Sequence, residues 1–133
     1  MSSNEHVDIR EMSALNLAFV GDAVYSLAIR EHFVSTSRHS VNSMNSLVNR
    51  YVSAHGQFLA VKLIEDRLTE EELAVLKRGK NSSKSTVAKH ASSEEYRAST
   101  GFECLLGFLE LSGRKDRIDE LVSSILDELE FGE

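Results

Sequence analysis

The stretch from Ala14 to Ile29 is apolar almost end to end and contains a single acid, Asp22. Its apolar residues leave no wholly polar face at helical spacing, and Ser13 is a suitable N-cap, so the sequence predicts a helix from Ser13 to about Val34. This helix has to be covered on nearly all sides. In a chain of only 133 residues, coverage by a second copy is the simplest solution, and it predicts a homodimer.

The rest of the chain also favours helices. Proline and tryptophan are both absent, and amphipathic patterns follow candidate caps at Ser40, Thr69 and Ser92, the last two in capping-box spacing. A final amphipathic segment extends from about Lys115 to Glu130. The sequence therefore predicts an all-α fold of five to seven helices in a single domain over residues 1–133.

Three local expectations follow from the same patterns. Gly56 is expected to break or bend the second helix, and the apolar stripe through His55 is expected to form core. The helix that begins after Thr69 is expected to fray at Lys77–Asn81 and lead into a serine-rich loop.

A second apolar stretch, Ala98 to Leu109, also contains one internal acid, Glu103. Removing an isolated carboxylate from water is costly unless a partner or a metal compensates the charge. If the two helices cross, Asp22 and Glu103 present hard oxygen ligands that suit Mg²⁺. A solvated polar stripe on a surface helix remains the alternative for Glu103.

The segment from Lys77 to Lys89 is basic and contains no acid. The net charge of −6 argues against binding of nucleic acid over the whole surface, but a local basic segment can contact a phosphate backbone without sequence choice. A solvated basic loop is the alternative. The candidate RNA-binding residues are Lys77, Arg78, Lys80, Asn81, Lys84 and Lys89.

Composition also restricts the other classes of site. Cys104 is the single cysteine, which predicts a buried thiol and a reducing compartment. The histidines show no paired spacing for zinc, and there is no glycine-rich phosphate loop. No apolar stretch reaches membrane-spanning length, so we expect a cytoplasmic protein that does not use a membrane.

Three blocks of sequence carry a family resemblance. The segment LAFVGDAV at 17–24 resembles the signature helix of the ribonuclease III catalytic domain, and YRASTGFECLLG at 96–107 resembles the second acidic helix of that family. Between them, EEELAVLKRGKN at 70–81 is similar to the short bacterial form, Mini-ribonuclease III. The order and spacing of the blocks cover most of the chain.

The resemblance implies an endoribonuclease that cleaves double-stranded RNA as a homodimer. It implies Mg²⁺ as the cofactor, with Mn²⁺ able to substitute, held by Asp22 and Glu103, and a precursor of large-subunit (23S) ribosomal RNA as substrate. No double-stranded-RNA-binding domain is expected after the catalytic domain, so the catalytic domain itself has to hold the RNA.

Two alternatives remain open at this stage. Larger family members carry further acids where this chain has Leu15, Ala18 and Thr100, which favours the short form but also allows an inactive dimer that binds structured RNA or a ribosomal partner. The glutamates at 70–72 allow a helical nucleotide pyrophosphohydrolase.

Overall fold

The computed structural model describes residues 6–36, 38–83 and 93–131, which form six α-helices and no strand. The predicted all-α class and the expected number of helices are confirmed. Two short 3₁₀ turns, Ile9–Glu11 and Glu65–Arg67, precede α1 and α4. The α-helices are α1 (Ala14–Thr36), α2 (Val41–Val52), α3 (Ala54–Ile64), α4 (Glu70–Ser82), α5 (Ser93–Leu111) and α6 (Lys115–Glu128).

Helix α5 is the centre of the molecule and packs against α1, α3, α4 and α6. Its side chains at Phe102, Leu105, Leu106 and Leu109 are completely buried. Cys104 is buried on the same helix, as predicted, and burial raises the pKa of its thiol to about 11. Because α5 is surrounded on several sides, the polar groups on its buried faces are held in a fixed environment.

Side-chain caps fix the start of several helices. The hydroxyls of Ser13 and Ser40 accept hydrogen bonds from amides three residues later. Thr69 and Glu72 form the predicted capping box, with distances of 3.1 and 3.0 Å. These bonds satisfy backbone donors that a helix start leaves without a partner. The proposed cap at Ser92 lies outside the described residues.

The break between α2 and α3 occurs at Ser53, not at Gly56 as expected. Ser53 ends α2 and caps α3 by accepting a hydrogen bond from the Gly56 amide at 3.1 Å. Gly56 lies within α3, where a Cβ atom would be 2.0 Å from the carbonyl oxygen of Arg50. Its role is therefore to let the two helices meet in a tight corner.

The expectation that α4 frays after Leu76 is wrong. The helix continues to Ser82, and Gly79 is buried within it. A Cβ atom at Gly79 would lie 2.7 Å from the Cβ of Cys104 on α5. Lys77, Arg78, Lys80 and Asn81 therefore lie on a packed helix and not in a flexible loop, whereas Lys84 and Lys89 lie outside the described residues.

Within one chain, α1 keeps an exposed apolar stripe, with Phe19 83% and Val34 63% exposed. The chain itself therefore does not cover this helix on all sides.

The expectation that the stripe from Val41 to Leu59 through His55 forms core needs correction. On α2, Val41 is 67% exposed, and His55 on α3 lies at the surface, where its Nδ1 is 2.6 Å from a carboxylate oxygen of Glu95. Only the middle part of this stripe, around the buried Val48, therefore lies in the core.

The glutamates at the start of α4 have structural partners. Glu72 is buried and forms two hydrogen bonds of 2.9 Å with the guanidinium of Arg117 on α6. Glu71 pairs with Arg114 at 2.7 Å. Glu72 thus caps α4 and joins it to α6, and Glu71 pairs with the residue just before α6, so these two glutamates have structural roles.

Candidate active site

Helices α1 and α5 cross with their backbones in direct contact. A Cβ atom at Gly21 would lie 1.7 Å from the carbonyl oxygen of Glu103, and one at Gly107 would lie 1.8 Å from the carbonyl oxygen of Leu17. Neither position has room for a side chain, so glycine is required for this approach. The crossing places Asp22 on α1 next to the turn of α5 that carries Glu103.

The two carboxylates converge at this crossing. The pKa of Glu103 is raised from its ordinary 4.5 to about 7, chiefly because the side chain is largely buried. The negative charge of Asp22 and a hydrogen bond between the two carboxyl groups raise the pKa further, whereas the amide of Gln57 lowers it. The two acids that the sequence singled out therefore share one site. Asp22 is exposed in the single chain, so its surroundings are less apolar than its neighbours in sequence suggested.

Gln57 is a site residue that sequence analysis missed. It is 2% exposed, and its Nε2 donates a hydrogen bond of 3.2 Å to Oε2 of Glu103. Ser99, one turn before Glu103 on α5, donates to Oε1 of Gln57 at 3.0 Å. The available signal was a glutamine at the start of an otherwise apolar helix, where a buried amide needs partners.

A groove of about 520 Å³ runs along α1 beside Asp22. Its walls are mainly apolar and include Phe19 and Leu27, and Glu110 and Lys115 lie at its polar end. Asp22 is therefore reached from the exposed apolar face of α1, while Glu103 lies on the inner side of the crossing.

The chemistry of this donor set fits a divalent cation. The two acids are held together although the charge of Asp22 raises the pKa of Glu103, and neither acid forms a salt bridge with a described basic residue. Oxygen donors of this kind suit Mg²⁺, which commonly uses one or two carboxylates and completes its shell with water or phosphate. Within the described parts of the chain, no group of three or more acidic, histidine or cysteine side chains could hold a metal ion.

The basic residues at the end of α4 form a second candidate element. Lys77, Arg78 and Asn81 are exposed, and Lys80 is half-buried with its stem over Gly101 of α5. Arg78 also donates a hydrogen bond to the backbone carbonyl of Met12, just before α1. Arg78 thus joins α4 to the segment that precedes α1. By contrast, no described acid forms a salt bridge with Lys77 or Lys80.

The described helices include none with the length and apolar character needed to cross a membrane.

Comparison with known proteins identifies the class to which this fold and site belong. The family model described as Ribonuclease III domain matches residues 15–114. A crystal structure of a protein from Fusobacterium nucleatum superimposes with a TM-score of 0.83 at 30% identity, covering 92% of this chain and 98% of that one.

Curated relatives define a narrower group. A Mini-ribonuclease 3 of Enterococcus faecalis is 40% identical over 118 residues, which cover 87% of this chain and 89% of that protein. A Mini-ribonuclease 3 of Brevibacillus brevis is 44% identical over 108 residues, covering 81% of each. The chain belongs to the ribonuclease III family, among the Mini-ribonuclease 3 proteins, and is an endoribonuclease.

Proposed function

We propose that the protein cleaves phosphodiester bonds of double-stranded RNA in a reaction that depends on Mg²⁺, with Mn²⁺ able to substitute, held by Asp22 and Glu103. The observation that supports this most is the convergence of the two carboxylates at the α1–α5 crossing. Asp22 and Glu103 would together hold a divalent cation, and its positive charge would offset the repulsion between the two carboxylates.

Each carboxylate has a distinct part in the proposed reaction. Glu103 is held from the protein interior, while Asp22 reaches the site from the surface. Together they would hold the cation from two sides of the α1–α5 crossing. When bound, the metal supplies an activated water and stabilises the charge that develops on the phosphate and the leaving oxygen.

Cleavage of a duplex RNA in the presence of Mg²⁺ tests this proposal. Asp22→Asn and Glu103→Gln should each lower cleavage by at least about a hundredfold, since each removes one charged metal ligand. Asp127→Asn, on an exposed acid of α6 away from the crossing, is the control and should retain activity. Duplex binding without cleavage by the unaltered protein would instead favour the inactive RNA-binding dimer.

We further propose that the end of α4 binds the RNA backbone within the catalytic domain itself. Lys77 and Lys80 lie on one rigid helix that packs against α5, so they can meet phosphates at a fixed distance from the acids. Asn81 belongs to the same proposed surface, whereas Lys84 and Lys89, which lie outside the described residues, are proposed as RNA-binding residues from the sequence alone.

Salt dependence tests the role of these lysines. Lys77→Ala/Lys80→Ala should weaken RNA binding and lower the slope of log K against log salt by about one to two. We leave Arg78 unchanged because of its bond to Met12. An unchanged slope would refute the proposed contact, and Lys62→Ala, on an exposed lysine of α3, is the control and should leave the slope as it is.

A homodimer is proposed from the exposed apolar stripe of α1. The large apolar side chains of this helix that remain exposed in one chain are Leu15, Phe19, Leu27 and Val34. They recur along one side of the helix, and two of them, Phe19 and Leu27, line the groove beside Asp22. A second copy placed on this stripe about a two-fold axis would cover it and set two sites against the two strands of a duplex.

Solution mass tests the dimer. Phe19→Glu places a charge on the most exposed apolar side chain of α1 and should convert a dimer of about twice the 14.8 kDa chain mass into a monomer. Leu111→Glu, on an apolar residue at the end of α5 that is 45% exposed, should leave the mass unchanged. If the unaltered protein is a monomer at micromolar concentration, the proposed interface is refuted.

The cellular substrate that we propose is a structured precursor of 23S ribosomal RNA. This part of the proposal rests on the family resemblance of the three sequence blocks, since the two carboxylates do not select a particular RNA sequence. Cells that lack the protein should accumulate 23S RNA with unprocessed ends, and expression of the Glu103→Gln variant should not restore them. Normal 23S ends in such cells would refute this substrate.

A further inference from the structure

A buried amide lies behind the two acids. Gln57 is in the first turn of α3 and only 2% of its surface is exposed. A buried amide is costly unless its donors and its acceptor are all paired. The partners of Gln57 therefore indicate what this residue does for the site.

Every polar atom of the Gln57 amide has a partner. Its Nε2 donates to the carbonyl oxygen of Val52 at 2.9 Å and to Oε2 of Glu103 at 3.2 Å. Its Oε1 accepts a hydrogen bond of 3.0 Å from the hydroxyl of Ser99. A backbone carbonyl only accepts hydrogen bonds, so the nitrogen end of the amide has to face Val52, and the second hydrogen is then directed to Glu103.

These contacts tie the amide to a rigid part of the fold. Val52 is the last residue of α2, and Ser99 lies on the central helix α5. Gly56, the neighbour of Gln57, lies in the tight α2–α3 corner, where a Cβ atom would be 2.0 Å from a backbone oxygen. The donor that meets Glu103 is thus fixed by three helices.

We propose that Gln57 is a positioning residue that holds one oxygen of Glu103 in place, so that the carboxylate is presented to a divalent cation together with Asp22. A glutamate side chain has several rotatable bonds, and immobilising it only when the metal binds would reduce affinity. Gln57 immobilises it beforehand. This inference rests on the proposed function, in which Asp22 and Glu103 hold the metal.

Gln57→Met tests this role, because it keeps the length of the side chain and removes the donors and the acceptor. Mn²⁺ affinity of the RNA-free protein is measured by calorimetry, and stability by urea unfolding in the presence of a chelator. Loss of a residue that orients a metal ligand weakens metal binding about tenfold or more. We expect this for Gln57→Met, with duplex RNA affinity unchanged and cleavage partly restored by a higher Mn²⁺ concentration.

Two further variants separate positioning from simple packing. Ser99→Ala removes only the bond to Oε1 and leaves the donor to Glu103, so Mn²⁺ affinity should change by less than about threefold. Gln57→Met/Ser99→Ala removes the hydroxyl that Gln57→Met leaves without a partner, and it should regain part of the lost stability. Its Mn²⁺ affinity should remain as weak as that of Gln57→Met, and this double variant carries the test if the single one fails to fold.

The outcomes are distinct. Mn²⁺ affinity that is unchanged in the double variant, or that recovers in step with stability, would overturn the positioning role and leave Gln57 as part of the core. Unaltered Mn²⁺ binding and cleavage in both Asp22→Asn and Glu103→Gln would instead refute the proposed function.

Discussion

Replacing Glu103 by glutamine should stabilise the metal-free protein at neutral pH. The structure keeps this carboxyl group largely buried and next to Asp22, which raises its pKa from 4.5 to about 7. Each pKa unit corresponds to about 1.4 kcal/mol of free energy, so the charged form reduces stability by at most about 3 kcal/mol. Since Glu103 is partly exposed, solvent screens some of this effect, and we expect a gain of about 1–2 kcal/mol on substitution.

The pH dependence of this gain follows from the direction of the pKa change. Below pH 4.5 the carboxyl is protonated in both the folded and the unfolded chain, so the substitution should have little effect. Between pH 4.5 and about 7 the unfolded chain loses this proton before the folded chain does, and the stability of the unaltered protein falls relative to the variant. Above pH 7 the difference should be constant.

Urea unfolding in a chelating buffer, repeated from pH 4.5 to 8.5, measures this difference directly. Glu110→Gln, on an exposed acid of the same helix, is the control and should show no such pH-dependent gain. A Glu103→Gln variant that is less stable than the unaltered protein at pH 8 would refute the reasoning that repulsion and burial destabilise this carboxylate. The same variant should lose the stabilisation that Mg²⁺ gives to the unaltered protein.

Three further substitutions test the parts of the fold that hold the site. Gly21→Ala should destabilise the protein by about 3 kcal/mol or more in urea unfolding, because its Cβ would overlap the backbone of Glu103; a loss below 1 kcal/mol would show that the helices can separate easily. Arg117→Met should cost about 3 kcal/mol in the same assay, because it leaves the buried charge of Glu72 without its partner. Ser53→Ala should cost about 1 kcal/mol through loss of the α3 cap, and an unchanged urea midpoint would contradict that cap.

Local features of the fold were predictable because their causes lie close together in the sequence. The caps at Ser13, Ser40 and Thr69 each depend on an amide three residues away, and all three are present. The helical class follows in the same way from periodicity and composition. The pairing of Asp22 with Glu103 was predictable from the single acid within each apolar stretch, although the burial behind that reasoning holds for Glu103 and not for the exposed Asp22.

The features that sequence analysis missed depend on contacts between distant segments. Nothing near Gly79 in the sequence indicates that it packs on Cys104. The sequence alone therefore predicts fraying where α4 continues to Ser82. Gln57 acquires its role only when α3 meets Glu103, 46 positions away in sequence. The sequence marks Gly56 as unusual, but a glycine is needed there because the Arg50 backbone approaches closely and not because the helix breaks.

The most direct test of the central proposal is a crystal structure of the protein soaked with Mn²⁺, whose anomalous scattering identifies the ion. We predict a peak between Asp22 and Glu103 in each chain, at a coordination distance of about 2 Å from an oxygen of each carboxylate. No peak at this position, under conditions in which the protein cleaves duplex RNA with Mn²⁺, would contradict it.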